Sequence, residues 1–402
     1  MKKFMVGLLC AALTFCAIQA MAEPAKFHIG VCTGTVSQSE DDLRGAEELI
    51  KRYGDVANGG MIKHITYPDN FMTEQETTIS QIASFADDPL MKAVIVNQAI
   101  PGTTEGFRRI REKRPDILLF AGENHEDPGV ISTAADLAVH SDSIARGYLI
   151  IAAAHKLGVT DFVHISFPRH MSYELMSRRR NIMEQACKDL GMKFHFETAP
   201  DPTSDVGVAG AQQFILEKVP AWIEKYGPMT AFFCTNDAHT EPLLKRLAEG
   251  QGYFIEADLP SPLMGYPGAL GVDLADVAGN FPAILARVEK AVIDKGGKGR
   301  LGTWAYSYGF TNTLALGELA KSYIEKGVTA KNFRRQFKFD DMVAAFNAAT
   351  PGATWNGNVY TDVNTGVQLK NCALVYQDTY IFGKGYLGMT KEVVPDKYFK
   401  VK

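Results

Sequence analysis

Cysteine is scarce in this chain. Six occur in 402 residues, and two of them, Cys10 and Cys16, sit in the apolar N-terminal stretch. The other four, Cys32, Cys187, Cys234 and Cys372, form no CxxC pair and have no metal-ligand spacing. That argues against a metal site built on cysteine. Cys32 and Cys234 fall inside predicted strands, where an isolated Cys packs as a small apolar residue; export would leave a disulfide open as the alternative. Positive charge is not in excess either. Lys and Arg number 42 against 46 Asp and Glu, for a formal net charge of −4. Setting aside residues 1–22 removes Lys2 and Lys3 and no acid, which leaves −6. A mildly acidic chain is a poor binder of nucleic acid. Internal repeats and low-complexity tracts are absent. No apolar run after the first 22 residues suits a membrane span. HExxH is missing, and Ser37, Ser166 and Ser172 lack a nucleophile-elbow context, which weighs against a zinc or serine hydrolase. No cofactor and no metal are expected.

The N-terminus has the form of a secretory signal. Lys2 and Lys3 precede the apolar residues 4–18, and Ala20-Met21-Ala22 supplies small residues for cleavage after Ala22. Leu9 and Phe15 precede the two early cysteines, where lipidation needs a small residue. A soluble periplasmic protein beginning at Glu23 is therefore expected. Its length of about 380 residues suits two lobes, each with its own core.

Strand and helix alternate along the chain. Strands are predicted at 28–33, 61–67, 93–96 and 117–120, and again near 161–167, 193–198, 230–235 and 253–257. Helices fall between them, at about 41–53 and after Thr73, which is read as a helix cap. Such alternation means α/β lobes with parallel, doubly wound sheets. Helices are also predicted at 281–294, 314–326 and 340–349, and a hairpin turn at Asn364-Thr365-Gly366.

The stretch Ser141–His170 carries a family resemblance. A capped apolar helix ends in Leu157-Gly158, and a strand over 161–167 follows. Arg180-Asn181-Ile182 through Leu190-Gly191, and Phe232-Phe233-Cys234-Thr235-Asn236-Asp237, continue the pattern. In order and spacing these stretches resemble the second lobe of type I periplasmic binding proteins and of LacI-like effector domains. The resemblance implies two Rossmann-like lobes joined by a hinge, with three crossings of the chain between them. On that basis the first lobe is expected to hold 23–140 and about 260–302, with helix 281–294 packed on it. The second would hold 141–259 and about 303–402, the last part being an extension. The resemblance also implies a monomeric, non-enzymatic solute-binding protein. Its partners would be a small polar molecule and either an ABC transporter permease or a membrane sensor.

In open α/β sheets ligands bind beyond the carboxyl ends of strands. A ligand closed between lobes needs polar groups from both. The nominees are Ser37, Gln38, Asn97, Gln98, Glu123, Asn124 and His125 from the first lobe. Arg169, His170, Asn236, Asp237 and Asp258 come from the second. Phe71, Tyr173 and Tyr306 could stack on a ring. The competing reading is that strand-end Asn and Asp are turn formers and helix caps. A second alternative is an exported hydrolase using the cluster Glu123-Asn124-His125-Glu126-Asp127. The run Arg178-Arg179-Arg180 reads as a solvated helix face.

Overall fold

The structure is a computed structural model that describes residues 25–402. The apolar N-terminal segment and the cleavage point after Ala22 lie outside the described residues. The first lobe opens with β1 (His28–Thr33), β2 (Ile62–Thr66), β3 (Met91–Asn97), β4 (Leu118–Gly122) and β5 (Leu137–Ser141). All five run parallel. β4 and β5 are buried along their whole length, as strands inside a sheet covered on both faces are. β5 was not anticipated. It ends at Ser141, and Asp142 caps the helix that follows, accepting from the Ala145 amide at 2.8 Å.

Helix Ser143–Lys156 then leads into the second lobe, built on β6 (Asp161–Ser166), β7 (Lys193–Thr198), β8 (Thr230–Cys234) and β9 (Tyr253–Phe254). Their order is β7-β6-β8-β9, all parallel. These are the four strands the sequence pattern anticipates for this lobe.

The return differs from expectation. Helix Phe281–Asp294 forms where predicted, with Phe281, Ile284, Val288 and Val292 as its buried stripe. It serves as a crossover within the second lobe, because Leu301 bridges in parallel to Phe254. β10 (Gly302–Trp304) follows, and the chain returns to the first lobe only at residues 305–308. Helix Tyr308–Glu325 lies against helix Val36–Tyr53. A Cβ on Gly45 would stand 2.7 Å from the Phe310 carbonyl oxygen, and one on Gly317 would stand 2.5 Å from Leu49. Glycine at both positions lets the two helices approach closely.

The C-terminal extension also departs from expectation. β11 (Trp355–Thr361) and β12 (Gln368–Gln377) form a hairpin. β12 pairs in parallel with β5, so the extension completes the first-lobe sheet in the order β11-β12-β5-β4-β3-β1-β2. The reason is the open edge of β5: Cys372–Val375 is an apolar run that covers it. The chain then crosses a third time. β13 (Thr379–Ile381) pairs with β10, and β14 (Gly385–Tyr386) with β13. The three crossings expected from the resemblance are present, at 141–143, 305–308 and 377–379.

These crossings are tied together. The Gln377 Oε1 accepts from the amides of Ala305 and Tyr306 at 2.8 and 3.2 Å. Arg146, buried, donates to Glu256 at 2.7 Å and to the carbonyls of Ala257 and Asp258. Glu256 also accepts from the Trp304 indole at 2.9 Å and from Thr379 at 3.1 Å. Cys32, Cys187, Cys234 and Cys372 are all buried free thiols.

Candidate functional site

A cavity of about 570 Å³ lies between the lobes. The first lobe contributes residues 36–42, Arg44, Gln98 and Glu123, together with Ser307, Tyr308 and Gly309 where the chain re-enters it. The second contributes Asp237, Leu259, Leu263, Met264 and residues on to Ile284. This is the edge where β1, β3, β4 and β8 end, as the topology of parallel sheets requires.

Of the nominated residues, Ser37, Gln38, Gln98, Glu123 and Asp237 line the cavity. Ser37 donates to Asp69 at 2.8 Å, and Gln38 to the Asp69 carbonyl at 2.9 Å. Gln98 pairs with the His125 Nε2 at 2.8 Å, which puts His125 at the rim; its edge is exposed, yet the protein packed around it lowers that imidazole to about 4. Phe71 meets His125 edge-on at the same rim. Asp258 stands behind Asp237, in an ion pair with Arg179.

Other nominees are turned away. Asn97 is wholly buried and donates to Asp42 at 3.0 Å, Thr313 at 2.7 Å and the Gly309 carbonyl at 3.2 Å, while accepting from Asn312 at 3.0 Å. It clamps β3 between two helices. Arg169 is held by Asp201 through two bonds of 2.7 and 2.9 Å. His170 is packed on Phe167 and bonded to Thr235. Asn236 caps its helix, accepting from the Ala238 amide at 3.0 Å. Tyr306 is buried behind the lining, its hydroxyl donated to the Pro351 carbonyl at 2.8 Å. For these five the cap, clamp or ion-pair role accounts for the side chain. Tyr173 lies exposed beside Arg169.

The 123–127 cluster does not converge. Glu123 accepts from the Ser141 amide at 3.0 Å, and Asn124 bonds His140 at 2.8 Å. His125 meets Gln98, and Glu126 receives the amides of Gly102 and Thr104 at 2.9 and 3.0 Å. Asp127 caps helix Pro128–Ile131. Five neighbours thus serve five separate purposes. The arginine run is likewise not a solvated face: Arg178 and Arg179 are buried.

Sequence reasoning missed Asp41, Asp42, Ser307, Tyr308 and the whole wall 259–279. Asp41 and Asp42 look like acids in a helix's first turns. In the structure Asp41 accepts from Ser307 at 2.5 Å. Asp42 is bonded by Ser39 and Asn97. Burial, with nearby carboxylates adding to it, pushes Asp42, Glu123 and Asp237 up to about 7. Asp41 shifts the same way for the same reason. Asp237 is open to the cavity, yet protein walls surround it, so its carboxylate is poorly hydrated. Glu123 has a positive φ of 41°. That uncommon conformation in a non-glycine residue holds its carboxylate against the Ser141 amide.

Comparison with known proteins agrees with this architecture. A family model described as "Protein of unknown function (DUF3798)" matches residues 27–302, and a second family model matches 313–401. Two uncharacterized proteins of Treponema pallidum (strain Nichols) are similar. One is 47% identical over 178 residues, covering 44% of this chain and 80% of its own length. The other is 40% identical over 218 residues, covering 54% of this chain and 99% of its own length. Among solved structures, a protein of Clostridium difficile 630 described as a transcriptional regulator superposes with a TM-score of 0.77 at 22% identity. That match covers 90% of this chain and all of the other. A sugar ABC transporter protein of Actinomyces odontolyticus ATCC 17982 gives a TM-score of 0.52 at 9% identity, covering 93% of this chain and 100% of its own. The fold is that of the two-lobed type I periplasmic binding proteins and LacI-like regulators.

Proposed function

The chain belongs to the DUF3798 family, and from its two-lobed solute-binding fold we propose an exported, non-enzymatic binding protein that closes on a small polar molecule. The observation that carries this reading is the cavity between the lobes, lined by Glu123 from one and Asp237 from the other. A side chain from each lobe on one ligand makes binding favour the closed state, which is how a ligand shifts a hinge equilibrium. Delivery to an ABC transporter permease or a membrane sensor belongs to the same proposal, as does export through cleavage after Ala22. No helix among the described residues is long and apolar enough to cross a membrane. The hydrolase alternative loses support, because Glu126 and Asp127 are spent on capping helices.

Native mass spectrometry of freshly purified protein tests the proposal. A retained small molecule is expected, released by Asp237→Ala, with protein from the cell envelope beginning at Glu23. Retention unchanged by Asp237→Ala, or turnover of the retained molecule, would count against it.

A further inference from the structure

We propose that the ligand is a small organic cation, an amine carrying an apolar body, with its ammonium among Asp41, Glu123 and Asp237. This rests on the cleft reading above and sharpens it. The cavity lining holds six carboxylates, on Glu40, Asp41, Asp42, Glu123, Asp237 and Asp273, against one guanidinium. That guanidinium, Arg44, is spent at the rim on Glu40 and Glu47, at 2.9 and 2.7 Å. The bases behind the second-lobe wall are spent as well. Arg179 is paired with Asp258, and Arg146 with Glu256 at 2.7 Å. Apart from Glu40, the carboxylates lining the cavity have no ion-pair partner among the described residues, and Arg146 acts on Glu123 only from a distance.

The carboxylates act on one another. Asp237 feels Asp258 and Asp41; Glu123 feels Asp258; Asp42 feels Asp41 and Glu123. Like charges held together in a poorly hydrated cleft repel, and a cation entering among them relieves that repulsion. Asp237 receives no hydrogen bond from the described residues. A second, independent observation points the same way. Tyr308 lines the cavity and is 1% exposed, and its hydroxyl, beside the Glu123 carboxylate, forms no hydrogen bond of good geometry. A buried hydroxyl left so is costly unless something binds there. Asp237 offers only acceptors, and with its proton toward Glu123 the Tyr308 hydroxyl offers a lone pair, so the ligand must bring donors. An ammonium group is donors alone.

The opposite wall sets the rest of the molecule. Leu259, Leu263, Met264, Val272, Leu274 and Ile284 line the cavity from the second lobe, whereas Glu40, Asp41, Asp42 and Glu123 line it from the first. Such a wall gains from covering hydrocarbon, and Met264 can adapt its shape to it. A polyol would leave this wall wet, and an anion would meet only repulsion.

The test uses matched trios that share a skeleton and differ in charge. These are phenethylamine, 2-phenylethanol and phenylacetate, and tryptamine, tryptophol and indole-3-acetate. D-glucose and D-ribose serve as neutral polyols. Calorimetric titration at pH 7.5 should show an amine binding at least about tenfold more tightly than its alcohol and its carboxylate. Asp237→Asn should weaken the amine about tenfold or more. The variant's melting temperature without ligand should not fall. Alcohols or sugars binding as well as the amines, amine binding indifferent to Asp237→Asn, or no amine bound at all, would each overturn the inference. Met264→Trp, which fills the cavity, separates the two levels. A sugar that binds the wild type and is lost in Met264→Trp leaves the cleft reading standing while the cation inference falls. A bound molecule unaffected by Met264→Trp takes both down.

Discussion

The first-lobe wall of the cleft is a helix end and three strand ends, whereas the second-lobe wall is largely the stretch 259–279, which holds one five-residue helix and one short 3-10 turn. On the first wall nearly every polar group has a partner: Asp42 with Asn97, Glu123 with Ser141, Asp41 with Ser307. On the second wall the charged side chains are Asp237, which has no partner among the described residues, and Asp273, which accepts from the Ala275 amide at 3.0 Å, and the remainder is chiefly apolar. A wall fixed by hydrogen bonds sets where charge can sit. A wall of apolar side chains on irregular backbone can adjust around what is bound. The contrast teaches that selectivity and adaptability are divided between the lobes.

The largest expected effect lies where the two walls are joined. Arg146→Met leaves Glu256 buried with only Trp304 and Thr379 as partners. Stranding a buried charge costs about 3–5 kcal/mol. Urea unfolding should show that loss as a lower midpoint, and an unchanged midpoint would mean the hinge is held by other contacts. The next test sets the walls directly against each other. Asn97→Ala leaves Asp42 short of a donor and should cost about 1–3 kcal/mol of stability. Asp237→Ala should cost none and weaken binding of a retained ligand about ten- to a hundredfold. If both variants behave alike, the contrast between a structural and a ligand-facing strand end fails.

A pH titration sharpens the same comparison with a smaller effect. Asp42, Glu123 and Asp237 have folded-state values near 7, above their ordinary 3.8, 4.5 and 3.8. Between about pH 4 and pH 7 the folded protein thus holds protons that the unfolded chain has released. Stability from these groups is present at the acid end and lost as pH rises through 7. The melting temperature of the ligand-free protein should therefore climb as pH drops from 8 toward 6.5, below which histidines such as His125 and His140, held neutral by the protein packed around them, oppose it, and Asp237→Asn should flatten the climb. A melting temperature that falls over that range would contradict these shifts. The smallest effect belongs to Arg169→Ala. Its pair with Asp201 is partly exposed, so stability should change by about 0.2–1 kcal/mol and binding of the retained ligand not at all. A tenfold loss of affinity would return Arg169 to the site.

Much of the fold can be read from hydrophobic runs. The runs behind β1, β3, β4, β6 and β8 are apolar enough to demand burial on both faces, and the intervening helices follow by alternation. The crossings are harder, because the pairing of β12 with β5 joins residues more than 230 positions apart. Local pattern carries no signal for that. At the site, Asn97 and Asp237 look alike, each a polar residue closing a strand. What separates them is the neighbour brought by helix Tyr308–Glu325, which covers Asn97 and leaves Asp237 open. Asp41 and Asp42 were hidden because acids early in a helix have an ordinary explanation in the dipole. The apolar wall was hidden because residues 259–279 have no period.

The hairpin that completes the first sheet bears on how the molecule is made. β12 covers the edge of β5 that faces away from β4, and Tyr398 stacks on Tyr148 of the second lobe with ring centroids 4.8 Å apart. Each lobe thus waits for residues beyond position 367 before its last edge or face closes. A chain emerging from the ribosome holds an unpaired strand through most of its synthesis. Contacts so distant in sequence form slowly, and open strand edges invite pairing with other chains. Until β12 is made, the outer edge of β5 stays open in the nascent chain. The same delay exposes it to aggregation until that edge is covered.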